Sequence, residues 1–365
     1  NGSNLDGGTK NALITNEGGS ATFVYGDATK GWQLVEAAQK SDLSFPSYIV
    51  ATGGTITTVD TDYKVHTFTG PGTFTVTNVG NACGSNKIDY MVIAGGGGGG
   101  HGQACYQASG GGGAGGYRES HCASVSGPYT ASPTATPLSL PVSAQAYPIT
   151  VGAGGAGAPA QAEPNPGSVN GSNSSYSSII TSAGGGYGRG YNNQAGNPGG
   201  SGGGAGTRND PSVGLSPSLG GTGNTPPVSP PQGNNGSSGS SPSGEGGGGA
   251  GAAGINSGWC GVPTNAGKGG AGSFVIQAGF GGCNGTTGPV GSTRYFAGGG
   301  GGSSSPGRSP GGTPGPGGAG GGGSGGVSPT PAANQQGVAN TGGGGGATSC
   351  SPGEVGSGGS GIVII

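Results

Sequence analysis

Six cysteines and three histidines are the residues of this 365-residue chain best suited to metal, redox or nucleophilic chemistry. The cysteines are Cys83, Cys105, Cys122, Cys260, Cys283 and Cys350. Their spacing is irregular. A zinc site at Cys105, His121 and Cys122 would lack the short paired spacing that structural zinc sites use. An even count leaves disulfides open, with Cys105–Cys122 and Cys260–Cys283 as the candidate pairs. His66, His101 and His121 stand in no frame with a serine or cysteine and an acid, and His66 reads as structural. "GKGG" (267–270) lacks the following Ser/Thr and the preceding spacing of a phosphate-binding loop. Asp60 and Asp62 read as turn residues. The expectation is a protein that is not an enzyme and needs no cofactor and no metal.

Surface recognition is the chemistry that remains. "GGGYGRGYNNQAGN" (184–197) places Tyr187, Arg189, Tyr191, Asn192 and Asn193 in one stretch after a glycine run. "INSGWCGVPTN" (255–265) carries Trp259, and "HGQACYQAS" (101–109) carries Tyr106. Tyr, Arg, Trp and Asn on loops suit contact with sugars or protein. The competing reading has the rings closing the ends of the glycine segments. Sequons at Asn1, Asn170, Asn173, Asn235 and Asn284 are expected by chance in a chain so rich in Asn, Gly and Ser.

What must position such residues is unusual. The chain has 99 glycines and 27 prolines, about a third of all positions, and only 7% charged residues. The strict Gly-X-Y period of collagen is absent. A net charge of −2 gives no drive toward nucleic acid or an anionic membrane. No apolar run approaches the roughly 18 residues of a membrane span, so membrane insertion is not expected. Glycine costs more to order than any other residue. Yet the runs at 95–100, 110–116, 199–206, 246–254, 298–302, 317–326 and 342–346 admit only tiny residues. That is the condition for backbones to touch directly. The alternatives are a flexible linker and a packed bundle of polyglycine II helices. The latter have three residues per turn, a rise of ~3.1 Å and hydrogen bonds only to neighbours. The bundle is the reading adopted.

Between the runs, β patterns recur. Residues 20–35 read as strands around a turn at Gly26–Gly31, followed by a short helical link at 36–42. Residues 63–80 read as a hairpin turning at Gly70-Pro71-Gly72, and 136–151 as another. Further strands are expected at 87–94, 174–182, 273–277, 294–297 and 361–365. The fold class is therefore mainly β and irregular, a small β base plus the bundle. It divides into an N-terminal β adaptor (1–50), a strand base (51–94) and the glycine-rich bundle (95–365).

"DYKVHTFTGPGTFTVTNVG", "IDYMVIAGGGGGG", "YPITVGAGGAG", "GSNSSYSSIITSAGGG", "ANTGGGGGA" and "GGSGIVII" resemble, in that order, the glycine-rich domain of phage tail-fibre and other virion proteins. The likeness covers about residues 52–365. It implies a trimeric tail-fibre protein, exposed on the virion. The N-terminal part would join other tail or baseplate proteins, and loops at one end would touch a host glycan or outer-membrane protein. It also implies folding in a reducing cytosol, which favours free thiols. Two other classes stay open: a virion decoration without a receptor, and a cellular extracellular binding module.

Overall fold

A computed structural model describes residues 13–14, 20–37, 43–44, 46–61, 63–81, 84–102, 107–122, 132, 134–159, 168–190, 194–210, 214–215, 218–239, 243–258, 265–275, 278–289, 293–305, 312–327, 334–349 and 355–365. It is nearly all β or irregular, with several small sheets and no closed barrel; the helix among the described residues is Ala278–Gly281. The chain forms two units. The first holds Asn1–Thr52, Phe74–Ile88 and Leu140–Ala146, and the second holds Gly53–Thr73, Asp89–Ser139 and Tyr147–Ile365.

In the first unit Ala21–Tyr25 pairs antiparallel with Trp32–Ala37, and Ile49–Thr52 pairs with the strand Gly72–Val79. The Tyr25 and Trp32 rings meet edge-on at 5.5 Å. Tyr25 and Trp32 are nonetheless 49% and 44% exposed, and Val24 and Val35 more so. Glu36 and Ala37 extend the second strand, which overturns the start of the expected helical link. Residues 38–42 lie outside the described set.

The second unit has a five-stranded antiparallel sheet. Its strands, in spatial order, are Tyr117–Glu119, Met91–Ile93, Ile362–Ile364, Tyr63–Phe68 and Thr55–Val59. Two expected hairpins are corrected here. Tyr63–Phe68 turns back through Asp60 and Thr61 onto Thr55–Val59, so the strand Gly72–Val79 is not its partner. Asp60 and Thr61 both have positive φ, the tight turn that the Gly-Pro-Gly signal drew attention away from. Leu140–Pro141 pairs with Lys87–Ile88, while the strand Ala146–Thr150 pairs with Ser174–Tyr176. Met91, Ile93, Ile362 and Ile364 are fully buried and share a cluster with Val65, Tyr117 and Phe296. Each such side chain contributes about 1.5–3 kcal/mol by burial.

From this sheet the glycine runs depart. Across 95–100 every N–H is bonded at 2.8–3.0 Å, and the partner changes with each residue. Gly95 and Gly98 donate to Ser172 and Val169, Gly96 and Gly99 to Gly359 and Gly356, and Gly97 and Gly100 to Gly113 and Gly110. The carbonyls behave likewise. They accept from Gly185 and Gly188, from Gly155 and Ala158, and from Gly345 and Thr348. Returning to the same neighbour every third residue means three residues per turn. Six segments thus bond to 95–100. The segments 110–116, 298–303 and 342–348 repeat the pattern with their own neighbours.

The sequence tolerates this packing only because of what it omits. An added Cβ on any residue from Gly95 to Gly100 would stand within 3.0 Å of a neighbour's backbone. Larger side chains occupy the positions that face out: on the outer segment 152–159, Ala153, Ala156 and Pro159 are exposed while Gly152, Gly155 and Ala158 are buried. On another outer segment Pro314 and Pro316, which have no N–H, flank Gly315, which donates to Gly302.

Candidate functional site

The hydrogen-bond registers fix the direction of each rod. Segments 185–188, 155–158 and 345–348 run parallel to 95–100, and 169–172, 356–359 and 110–113 run antiparallel. By the same reasoning 298–303 runs parallel to 95–100, while 244–248 and 267–270 run antiparallel to it. One end of the bundle is therefore bordered by strands: Met91–Ile93, Tyr117–Glu119, Ile180–Ser182, Ser273–Val275, Arg294–Phe296 and Ile362–Ile364. At the opposite end, the loop pole, lie the exits of these rods. Gly102 and Gln107, Gly190 and Gln194, and Gly258 and Asn265 all lie at this pole.

These pairs flank the residues that the sequence singled out for recognition. Tyr106, Tyr191, Asn192 and Trp259 lie outside the described residues, as do Cys105 and Cys260. Tyr187 and Arg189 are described and sit on the last turn of their rod. Cys122 is half-buried, its N–H donating to Asp89 Oδ2 at 3.1 Å, and Cys283 is exposed. Among the described residues no cluster of His, Cys, Asp or Glu could hold a metal ion. His66 is buried in the sheet with Nδ1 2.8 Å from Gly53 O, and burial lowers its pKa.

The Tyr187–Arg189 stretch is held from several directions. Tyr187 N–H donates to Asn170 Oδ1 at 3.0 Å, and Tyr187 O accepts from Asn197 N. Asn197 Nδ2 also donates to Asn170 Oδ1. Arg189 N–H donates to Gly204 O, and Arg189 O accepts from Gly110 N. The guanidinium carbon lies over the Tyr187 ring, 5.0 Å from its centroid, and Nε donates to Ala195 O at 3.2 Å.

Sequence reasoning missed side chains that bond into the rods. Asn170, Asn173 and Asn235 accept from the backbone N–H of Tyr187, Gly184 and Gly223, standing in for a rod carbonyl. Their signal in the sequence is the Asn-Gly-Ser or Asn-Ser-Ser triplet at each of these three positions, a pattern that a chance sequon also gives. Also missed were buried carboxyls. Glu245, fully buried inside a rod, accepts from Ser257 N at 2.8 Å, Ser257 Oγ at 2.6 Å and Ser237 Oγ at 3.2 Å. Desolvation raises its pKa against the pull of these serines. It anchors the base of the 258–265 connection, which Gly258 N–H closes onto Asn265 O. At the strand end, Glu119 accepts from Tyr117 Oη at 2.6 Å and Ser132 Oγ at 2.9 Å. Burial pushes its carboxyl up to about 7 despite those bonds. A lone acid inside a tract of tiny residues, as in "SGEGGGG", was the available clue to Glu245.

The model of the glycine-rich domain family matches residues 67–365, and the chain belongs to that family. No curated protein and no solved structure matches it.

Proposed function

We propose that this chain is a structural and recognition protein of a phage tail fibre, without enzymatic activity. In this reading the rods are polyglycine II helices. They form a rigid spacer that presents the connections at the loop pole to a glycan or outer-membrane protein of the host surface. The observation that carries it is the coincidence of two independent selections. Of the residues picked from the sequence for contact chemistry, the described pair Tyr187 and Arg189 lies toward the loop pole, and the described residues that flank 103–106, 191–193 and 259–264 lie at that same pole. Rods that hold connections at one pole suit recognition, because a fixed scaffold lowers the entropy that its loops lose on binding. The exposed apolar residues Val24, Tyr25, Trp32 and Val35 of the N-terminal hairpin support attachment to other tail proteins or to copies in a trimer. A two-stranded ribbon is marginally stable alone and gains from such a partner.

The test is attachment of the purified chain to host cells, comparing wild type with a variant whose 191–193 and 259–264 connections are replaced by Gly and Ser. Attachment that survives the replacement unchanged would sink the reading. Labelled chain spread over a capsid, and not at a fibre tip, would favour the decoration class.

A further inference from the structure

Arg189 is held at several points. Its backbone is locked at both N–H and C=O within the bundle. Its side chain is fixed by the Tyr187 ring on one face and by Ala195 O on Nε. Among the described residues no carboxylate engages it. Glu245, the buried acid whose rod reaches the same pole, has its oxygens taken by Ser237 and Ser257. The Nη groups of the guanidinium thus remain as a planar pair of donors, already oriented and only half-buried.

We propose that Arg189, braced by Tyr187, is an anion-binding anchor that takes a carboxylate or phosphate group carried on a surface glycan. The proposal rests on the recognition reading above and names its ligand class. The chemistry follows from the fork geometry. Guanidinium donors match the two oxygens of a carboxylate or phosphate, which a lysine point charge does not. Stacking on an aromatic ring orients the plane and leaves the outer edge for the ligand. Holding the arginine on a rod, with Asn170 fixing Tyr187 from behind, removes most of the ordering cost that a flexible loop arginine would bear. The aromatic ring beside the charge offers an apolar surface for the sugar itself.

Binding of the full chain to a galacturonic-acid tetramer, a phosphorylated mannose oligosaccharide and a neutral maltose oligomer is measured by calorimetry. Wild type is expected to bind one of the two acidic probes and to lose affinity with added salt. Which acidic probe binds tells carboxylate from phosphate. R189Q is expected to weaken that binding by roughly 10- to 100-fold, and R189K to restore only part of it. Y187A is expected to weaken it less, with the fold confirmed by unchanged circular dichroism. Equal binding by R189Q and wild type, or no binding of either acidic probe by wild type, overturns the anchor. If cells still capture wild type and R189Q equally, the recognition reading stands and only the anchor falls. If neither protein attaches to cells and wild type binds no probe, both fall.

Discussion

Substituting Gly97 by alanine tests the claim that direct backbone contact builds the bundle. The new Cβ would stand inside 3.0 Å of Gly186 O, Gly186 C and Gly185 O, all of them backbone atoms. No side chain can rotate away, so a rod must move. Its neighbours are bonded on every side, and a shift at Gly97 strains the bonds to Gly113 and from Gly345. Overpacking by a methylene-sized group costs about 1–3 kcal/mol, and the upper end applies when only backbone can yield. Against this, alanine restricts the unfolded chain and returns about 0.4–1 kcal/mol. The net expectation is a loss of about 2 kcal/mol. Gly70 supplies the control, because nothing lies within 4 Å of its added Cβ and its φ is not positive. There only the unfolded-state effect operates, so G70A is expected to gain about 0.4–1 kcal/mol. Urea unfolding with linear extrapolation reads both signs. A G97A protein as stable as wild type would refute direct packing of the rods.

The remaining predictions concern polar groups. Glu119 has a folded pKa of about 7 against an ordinary value of 4.5. The folded state therefore binds its proton more tightly than the unfolded state does. Its stabilising contribution is complete below about pH 4.5 and is lost as pH rises through about 7. E119Q should flatten that decline in a pH series of unfolding curves, and an unchanged slope would assign it elsewhere. N170A leaves Tyr187 N–H and Asn197 Nδ2 without their acceptor and should cost about 1–3 kcal/mol, seen as faster amide exchange at Tyr187. E245A should raise amide exchange at Ser257 and speed proteolysis within the 258–265 connection. Protection equal to wild type would show that the serines do not depend on the carboxylate.

Local patterns were legible in the sequence where the partner is close in the chain. The hairpin of Ala21–Tyr25 with Trp32–Ala37 and the strands at 273–275, 294–296 and 362–364 appear where alternation and turn residues place them, whereas the single strand expected over 174–182 is two, Ser174–Tyr176 and Ile180–Ser182, folded back on each other. Pairing over distance was not legible. Nothing in "YKVHTF" shows that it borders the strand Ile362–Ile364, almost three hundred residues away, and the inviting Gly70-Pro71-Gly72 turn suggested a nearer partner. The tiny residues of the runs announced close packing, because only glycine allows it. Which rod touches which is set by register, and a run of identical residues carries no register information. The Asn side chains near some of the runs carry part of it, for they accept hydrogen bonds from defined rod positions. The buried acids escaped because a carboxylate surrounded by glycine has no sequence neighbour that betrays its partner.

The strand pairing in the base sheet has a consequence for how this architecture can change. Ile93, which leads into the first rod, lies directly opposite Ile362, which follows the last. Entry and exit share one doorway. Everything between them is a single excursion of the chain, pinned shut at its root by two adjacent hydrophobic strands. Outer rods that contribute nothing to the core cluster could be added or removed in returning pairs without displacing either doorpost. The length of the bundle can thus vary while the frame of Tyr63–Phe68, Met91–Ile93 and Ile362–Ile364 stays the same.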